Sequence, residues 1–128
     1  MPVTDASAIV DVADTLFRAI EGSDVAMIEE LWNHDIAVWH AGDHADNDRA
    51  RAMRVICWFI NRTSRRRYEI LDRRLFDGGF VQQHILHADG EHGSIAMRVC
   101  IVVKLAENGL ISRIDEYFDP AEMAPLLG

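Results

Sequence analysis

A handful of residues in this chain have the types and spacing for proton transfer. His84 stands in the string GFVQQH at 79–84, alternating with Phe80, Gln82 and Leu86. A histidine there is a candidate base or acid, since its reference pKa of about 6.5 lies close to neutral pH. The competing reading is a core histidine bonded to a backbone carbonyl or to Gln82. Gln82 itself is a candidate to hold a substrate oxygen. Glu116, in SRIDEYFD, is the candidate partner acid, or a base if burial raises its carboxyl. Moving that group from about 4.3 to near 6.5 takes roughly 3 kcal/mol of desolvation. The alternative is a surface carboxylate paired with Arg113 or Arg74. His40 follows Trp39 and precedes Asp43 in VWHAGD at 38–43. A histidine with a nearby aspartate can form an oriented acid–base pair, or simply anchor a loop. Trp39, Trp58, Met53 and Phe80 are candidates for an apolar binding wall, although aromatics at helical spacing are more often plain core.

Metal ligation is not expected. His40 and His44 fall in a predicted loop, and His84 and His87 point to opposite faces of a strand, so no set supplies three convergent ligands. No phosphate loop is present, because no helix follows the Asp77-Gly78-Gly79 turn.

The elements that must position these groups follow from pattern. Ile9, Val12, Leu16 and Ile20 recur at helical spacing after a cap at Thr4 or Asp5, and Gly22 ends that helix. Ser23 is expected to cap a second helix with Ile28, Leu31 and Trp32 on one face. After a break at Asn33-His34-Asp35, residues 36–40 read as a short strand. Asp46 or Asp48 caps a third helix carrying Met53, Ile56, Cys57 and Ile60. Val55, Trp58 and Phe59 make its end apolar nearly all round, which predicts cover on several sides. A long strand is expected over 65–76, followed by strands in FVQQHILHADG, SIAMRVCIVVKLAENG and LISRIDEYFD. Asp89-Gly90 and Asn108-Gly109 predict type I′ hairpin turns. Asp119-Pro120-Ala121-Glu122 opens a short final helix. Helices on one face of a curved antiparallel sheet make an α+β domain, here one domain over 1–128, with a cone open at one mouth.

Alternation assigns the faces. Ile95, Met97, Val99, Ile101, Val103 and Leu105 form one apolar row, which meets the helices. Leu110, Ser112, Ile114, Glu116 and Phe118 share a face on the last strand. Register leaves open whether Gln82 and His84 or Gln83 and His87 look inward, and we take the first pair. Val81, Ile85, Cys100 and Val102 then face outward and need cover, which suggests a homodimer through the outer sheet face. Arg62, Arg65, Arg66 and Arg67 read as a solvated sheet edge guarded by charge.

The formal net charge of −8 repels phosphate backbones, so no nucleic-acid partner is expected. Two cysteines are too few for a disulfide framework. No basic leader precedes an apolar stretch at the N-terminus, and no apolar run approaches a bilayer span. The expected address is the cytoplasm, with no membrane partner.

The element order, with VWHAGD, GFVQQH and GLISRIDEYFDP at 109–120, resembles the nuclear transport factor 2-like superfamily. The nearest look is to its SnoaL-like polyketide cyclase, limonene epoxide hydrolase and ketosteroid isomerase branch. The resemblance implies a curved sheet over helices, and it spans essentially the whole chain. Epoxide hydrolases of this type use an Asp-Arg-Asp set. Its last acid corresponds to Glu116, whereas Gln82 and His84 stand where the Arg-x-Asp pair belongs. His40 and Val38 fall roughly where a water-binding Asn and its neighbouring Tyr would be. The epoxide-opening set is not reproduced, and the ketosteroid isomerase oxyanion hole has no clear match.

The leading expectation is a small cofactor-free enzyme doing acid–base chemistry on an apolar small molecule by isomerisation, dehydration, cyclisation or water addition. His40 and His84 would exchange protons, and Glu116 and Asp43 would orient or share them. The alternatives are a non-catalytic binding module and a dimeric interaction module of the same fold.

Overall fold

The structure, a computed structural model, describes residues 5–127. The Asp5 carboxylate accepts the Ser7 amide at 2.9 Å and so caps α1 (Ala6–Glu21); Thr4, the other candidate cap, lies outside the described residues. Ile9, Ala13, Leu16, Phe17 and Ile20 fill the buried face of α1. The cap of α2 (Val25–Leu31) is Asp24, which accepts the Met27 amide. Ser23, expected in that role, has φ 58°, which is outside the extended region a capping residue adopts. Asp48 caps α3 (Arg49–Arg62). That helix is less covered than its composition predicts, for Val55 and Trp58 are both exposed.

Strand β1 (Trp32–His40) begins directly after α2, so the expected break at Asn33–Asp35 is instead a register irregularity inside the strand. Strands β2 (Thr63–Phe76), β3 (Gly79–Gly90), β4 (Ser94–Leu105) and β5 (Ile111–Tyr117) form the predicted antiparallel meander. The sheet order is β1-β5-β4-β3-β2, and β1 runs parallel to β5. That parallel pairing joins the early strand to the last one, and it decides the site.

Neither hairpin turn is type I′, which needs positive φ at both central residues. Asp89 pairs with Ser94 across a wider loop, in which the Gly90 amide bonds the Gly93 carbonyl. At the other hairpin only Gly109 takes positive φ, at 84°. The Gly109 amide bonds the Ala106 carbonyl and the Ala106 amide bonds the Leu110 carbonyl, as in a type I turn followed by a left-handed residue. Gly79 is required for a different reason, since a Cβ there would lie 2.2 Å from the Val103 carbonyl oxygen.

Bulges on β5 and in the middle of β2 reset the alternation. Leu105 pairs with Ile111 and Lys104 with Arg113, so Ser112 is the extra residue. Ile111, rather than Leu110, therefore enters the core, while Ile114 stays inside. On β2, Ile70 pairs with His84 and Asp72 with Gln83, leaving Leu71 extra. Beyond it, Arg73 pairs with Gln82 and lies on the inward side.

Arg66 is buried, not part of a solvated edge. Its guanidinium donates to the Ile20 carbonyl at 2.8 Å, to the Ile60 and Thr63 carbonyls, and to the Thr63 and Ser23 hydroxyls. One cation thus satisfies carbonyls at the ends of both long helices, where the helix dipoles favour positive charge. Asp119 caps a 3-10 turn (Pro120–Met123) that leads into α4 (Ala124–Leu127). The inward rows of β3 and β4 meet α1 and α3 in one apolar cluster.

Candidate active site

The concave side of the sheet leaves a cavity of about 370 Å³ between β1, β4, β5, α1 and α3. Its wall is mainly apolar, including Leu16, Phe17, Trp58, Met97, Ile101 and Phe118. The lining residues whose side chains carry polar atoms are His40, Asp43, Tyr68 and Glu116, together with the indoles of Trp32 and Trp58.

The parallel register sets His40 beside Glu116 on neighbouring strands. His40 Nε2 lies 3.8 Å from Glu116 Oε1, too long for a direct hydrogen bond. On the opposite side of the ring, His40 Nδ1 is 3.1 Å from Asp43 Oδ2. The same oxygen accepts the His40 backbone amide and the Asn47 side-chain amide, each at 2.9 Å. The Trp39 indole donates to the Asp43 carbonyl at 3.0 Å, and Asn47 also donates to the Val38 carbonyl. Asp43 is therefore clamped from several directions. Burial alone would raise its carboxyl, but the bonds accepted from His40 and Asn47 outweigh that and hold it below its ordinary value. An ionised Asp43 keeps the proton of neutral His40 on Nδ1 and leaves the Nε2 lone pair toward Glu116.

Glu116 behaves oppositely. Burial raises its carboxyl pKa, with only a partial offset from His40. Its side chain keeps 23% of its surface open, and it lines the cavity. Neither arginine that sequence offered as a partner reaches it, since Arg113 pairs with Asp46 and Asp115, and Arg74 with Asp72.

Gln82 and His84 do face inward and are fully buried, but they do not line the cavity. They belong to a polar chain behind its wall. Arg73 Nη1 donates to Asp14 at 2.8 Å, and Arg73 Nε donates to Gln82 Oε1 at 2.8 Å. The Gln82 amide nitrogen must then donate to His84 Nδ1, 2.9 Å away, which places the histidine proton on Nε2. That Nε2 has no hydrogen-bond partner among the described residues. Burial lowers the His84 pKa to about 4. The imidazole packs edge-on against Tyr68 and Phe17, with ring centroids 4.9 and 5.6 Å away.

Sequence reasoning did not single out Tyr68, which falls within the long strand expected over 65–76. Its ring is held between Phe17 and His84, and its backbone amide donates to Glu21 Oε2 at 2.9 Å. No protein partner holds its hydroxyl among the described residues, and burial, then the charges of Glu116 and Glu21, raise its pKa. Of the wall candidates, Trp58 lines the cavity, while Trp39, Met53 and Phe80 do not. Trp39 packs at a tilt against Tyr117, Met53 packs against the core cluster, and Phe80 is buried in it. No group of three or more His, Cys, Asp or Glu able to hold a metal ion occurs among the described residues, and no described helix is long and apolar enough to cross a membrane.

No family model and no curated relative matches the chain. Solved structures share its fold. An LEH-like epoxide hydrolase from M. tuberculosis superposes with a TM-score of 0.78 at 15% identity, covering 94% of this chain and 90% of that one. A protein assigned as a SnoaL-like polyketide cyclase, from Shewanella denitrificans OS-217, gives 0.81 at 12% identity over 96% and 98%. A protein with a ketosteroid isomerase-like fold from Catenulispora acidiphila DSM 44928 gives 0.74 at 9% identity over 87% of both chains. The chain therefore has the nuclear transport factor 2-like fold, as its motifs imply. At these identities the likeness carries architecture and not chemistry.

Proposed function

We propose that residues 1–128 form one SnoaL-like domain that performs acid–base chemistry on an apolar small molecule: isomerisation, dehydration, cyclisation or water addition. The observation that carries this reading is the meeting of His40 and Glu116 in an otherwise apolar cavity, with Asp43 fixed behind the imidazole.

Neutral His40 takes a proton from a substrate carbon, or from a water, through Nε2 and becomes imidazolium. Asp43 stabilises that cation through the bond at Nδ1. Glu116, kept protonated further up the pH scale by burial, gives its proton to a second substrate atom. The imidazolium then returns a proton to the new carboxylate and the pair is reset. The 3.8 Å between them leaves one substrate or water atom room to contact both. The Tyr68 side chain also lines the cavity, and its hydroxyl can donate to a substrate oxygen. His84 and Gln82 have a positioning part in this reading, holding the Tyr68 ring from behind.

Deuterium exchange at the carbon next to the carbonyl of α-tetralone, followed by NMR, tests the proposal without knowledge of the natural substrate. The protein should accelerate exchange over free imidazole, and His40→Asn or Glu116→Gln should each lower the rate about 10²-fold. Exchange unaffected by both substitutions leaves the cavity a binding site only.

The outer sheet face is proposed to join a second copy of the chain. Val81, Ile85, Cys100 and Val102 are only half buried there, and Tyr117 is exposed at 50%. Sedimentation showing a monomer at micromolar concentration rejects that dimer.

A further inference from the structure

Among the acids on the cavity wall, Glu116 is anomalous. Asp43 has its carboxylate filled by His40 and Asn47. The Glu116 carboxyl accepts no hydrogen bond among the described residues, and the His40 imidazole stands 3.8 Å from it. No lysine or arginine lines the cavity. The same cavity is lined by the aromatic side chains of Phe17, Trp58, Tyr68 and Phe118.

A carboxylate out of bulk water with no donor bound to it is costly, and a ligand that donates to it removes the cost. Three ligand classes meet this wall differently. A carboxylate or phosphate finds like charge and no cation to receive it. A neutral alcohol finds apolar contact and a single donor-to-acceptor bond. A protonated amine finds a charge-assisted hydrogen bond at Glu116 and aromatic faces that attract the rest of its positive field.

We propose that this cavity selects a hydrophobic amine, bound as its ammonium ion with an N–H donated to Glu116 and its apolar body against the aromatic wall. The proposal deepens the acid–base reading by naming the substrate class, and it rests on that reading for the identity of the cavity. A volume of about 370 Å³ suits a compact ring system carrying one nitrogen, near the low end of small-molecule sites. Burial favours neutral Glu116 and the ammonium favours its anion, so binding expels a proton and tightens as the pH rises through the Glu116 titration.

Three probes of one shape separate the classes by calorimetry at about pH 8, where the amine stays protonated: cyclohexylmethylamine, cyclohexylmethanol and cyclohexanecarboxylate. The amine should bind about tenfold or more tighter than the alcohol, and the carboxylate should not bind detectably. Glu116→Gln should bring the amine to the level of the alcohol and leave the alcohol within about twofold. His40→Asn should preserve the amine preference. The proposal is overturned by equal or tighter binding of the alcohol, by binding of the carboxylate, by a preference that survives Glu116→Gln, or by no binding of any probe. Because turnover is not read, selectivity can hold where α-tetralone exchange fails, and exchange can hold where selectivity fails.

Discussion

The Gln82 amide dictates the tautomer of His84. With Arg73 occupying Gln82 Oε1, only the amide nitrogen is left to face Nδ1, and the histidine receives a bond that it could not receive if protonated there. Burial and this contact act in the same direction, keeping the imidazole neutral.

Stability should therefore fall in acid. The unfolded chain takes up a proton near the model value of 6.5, whereas folded His84 resists until about 4. The contribution is fully present above 6.5 and is lost as the pH drops toward 4, amounting to about 3 kcal/mol. Asp43, with its depressed pKa, acts in the same direction but only below its ordinary value of 3.8. Urea midpoints of the wild type and His84→Leu across this window should differ in slope. Parallel curves would show that the histidine titrates freely.

Glu116→Gln should expose a conflict between stability and function. A carboxyl raised by burial favours the fold while protonated and disfavours it once ionised, so its contribution disappears as the pH rises through the folded pKa. The variant should match the wild type in mild acid and become progressively more stable than it toward alkaline pH, while losing proton-transfer activity. Thermal melts of both proteins over a pH series decide this, and a variant whose advantage over the wild type does not grow with pH contradicts it.

Asp43→Asn should spare the fold more than the chemistry. An amide oxygen can still accept the His40 and Asn47 donors, but the neutral group no longer stabilises an imidazolium. Exchange on α-tetralone should slow about 10–10²-fold with little change in melting temperature. A rate equal to that of the wild type would mean that Asp43 only anchors the loop.

Arg66→Met should be the most damaging of these substitutions, because it removes the one buried cation that donates to carbonyls at both helix ends, Ile20 on α1 and Ile60 and Thr63 at the close of α3. We expect a loss of about 2–4 kcal/mol in urea unfolding. Arg66→Lys should recover less than half of it, since one ammonium cannot span both ends. A loss below about 1 kcal/mol would show that water replaces the clamp.

What could be read from residue order alone stopped at the bulges and at the parallel pair. The β4 row from Ile95 to Val103 and the inward set Phe80, Gln82, His84 and Leu86 follow from alternation, and the structure has both. Ser112 and Leu71 break that alternation, so Ile111 and Arg73 fall on faces that simple parity does not give them. Tyr68 stays hidden because Arg67 and Glu69 flank it in sequence, while its partner Leu86 lies on the next strand. His40 and Glu116 were each identifiable as polar residues among apolar ones. Their adjacency was not, because nothing local predicts that β1 lies along β5.

That pairing also constrains the order in which the chain can become active. β1 has no sheet partner until β5 exists, so a nascent chain that has emerged only through β4 carries an imidazole without its acid and an open edge on β4. Completion depends on a contact between distant parts of the sequence, which is slow to close and exposed to misassembly until it does. Proteolytic clipping within the last strand should accordingly abolish the chemistry and release the first strand together.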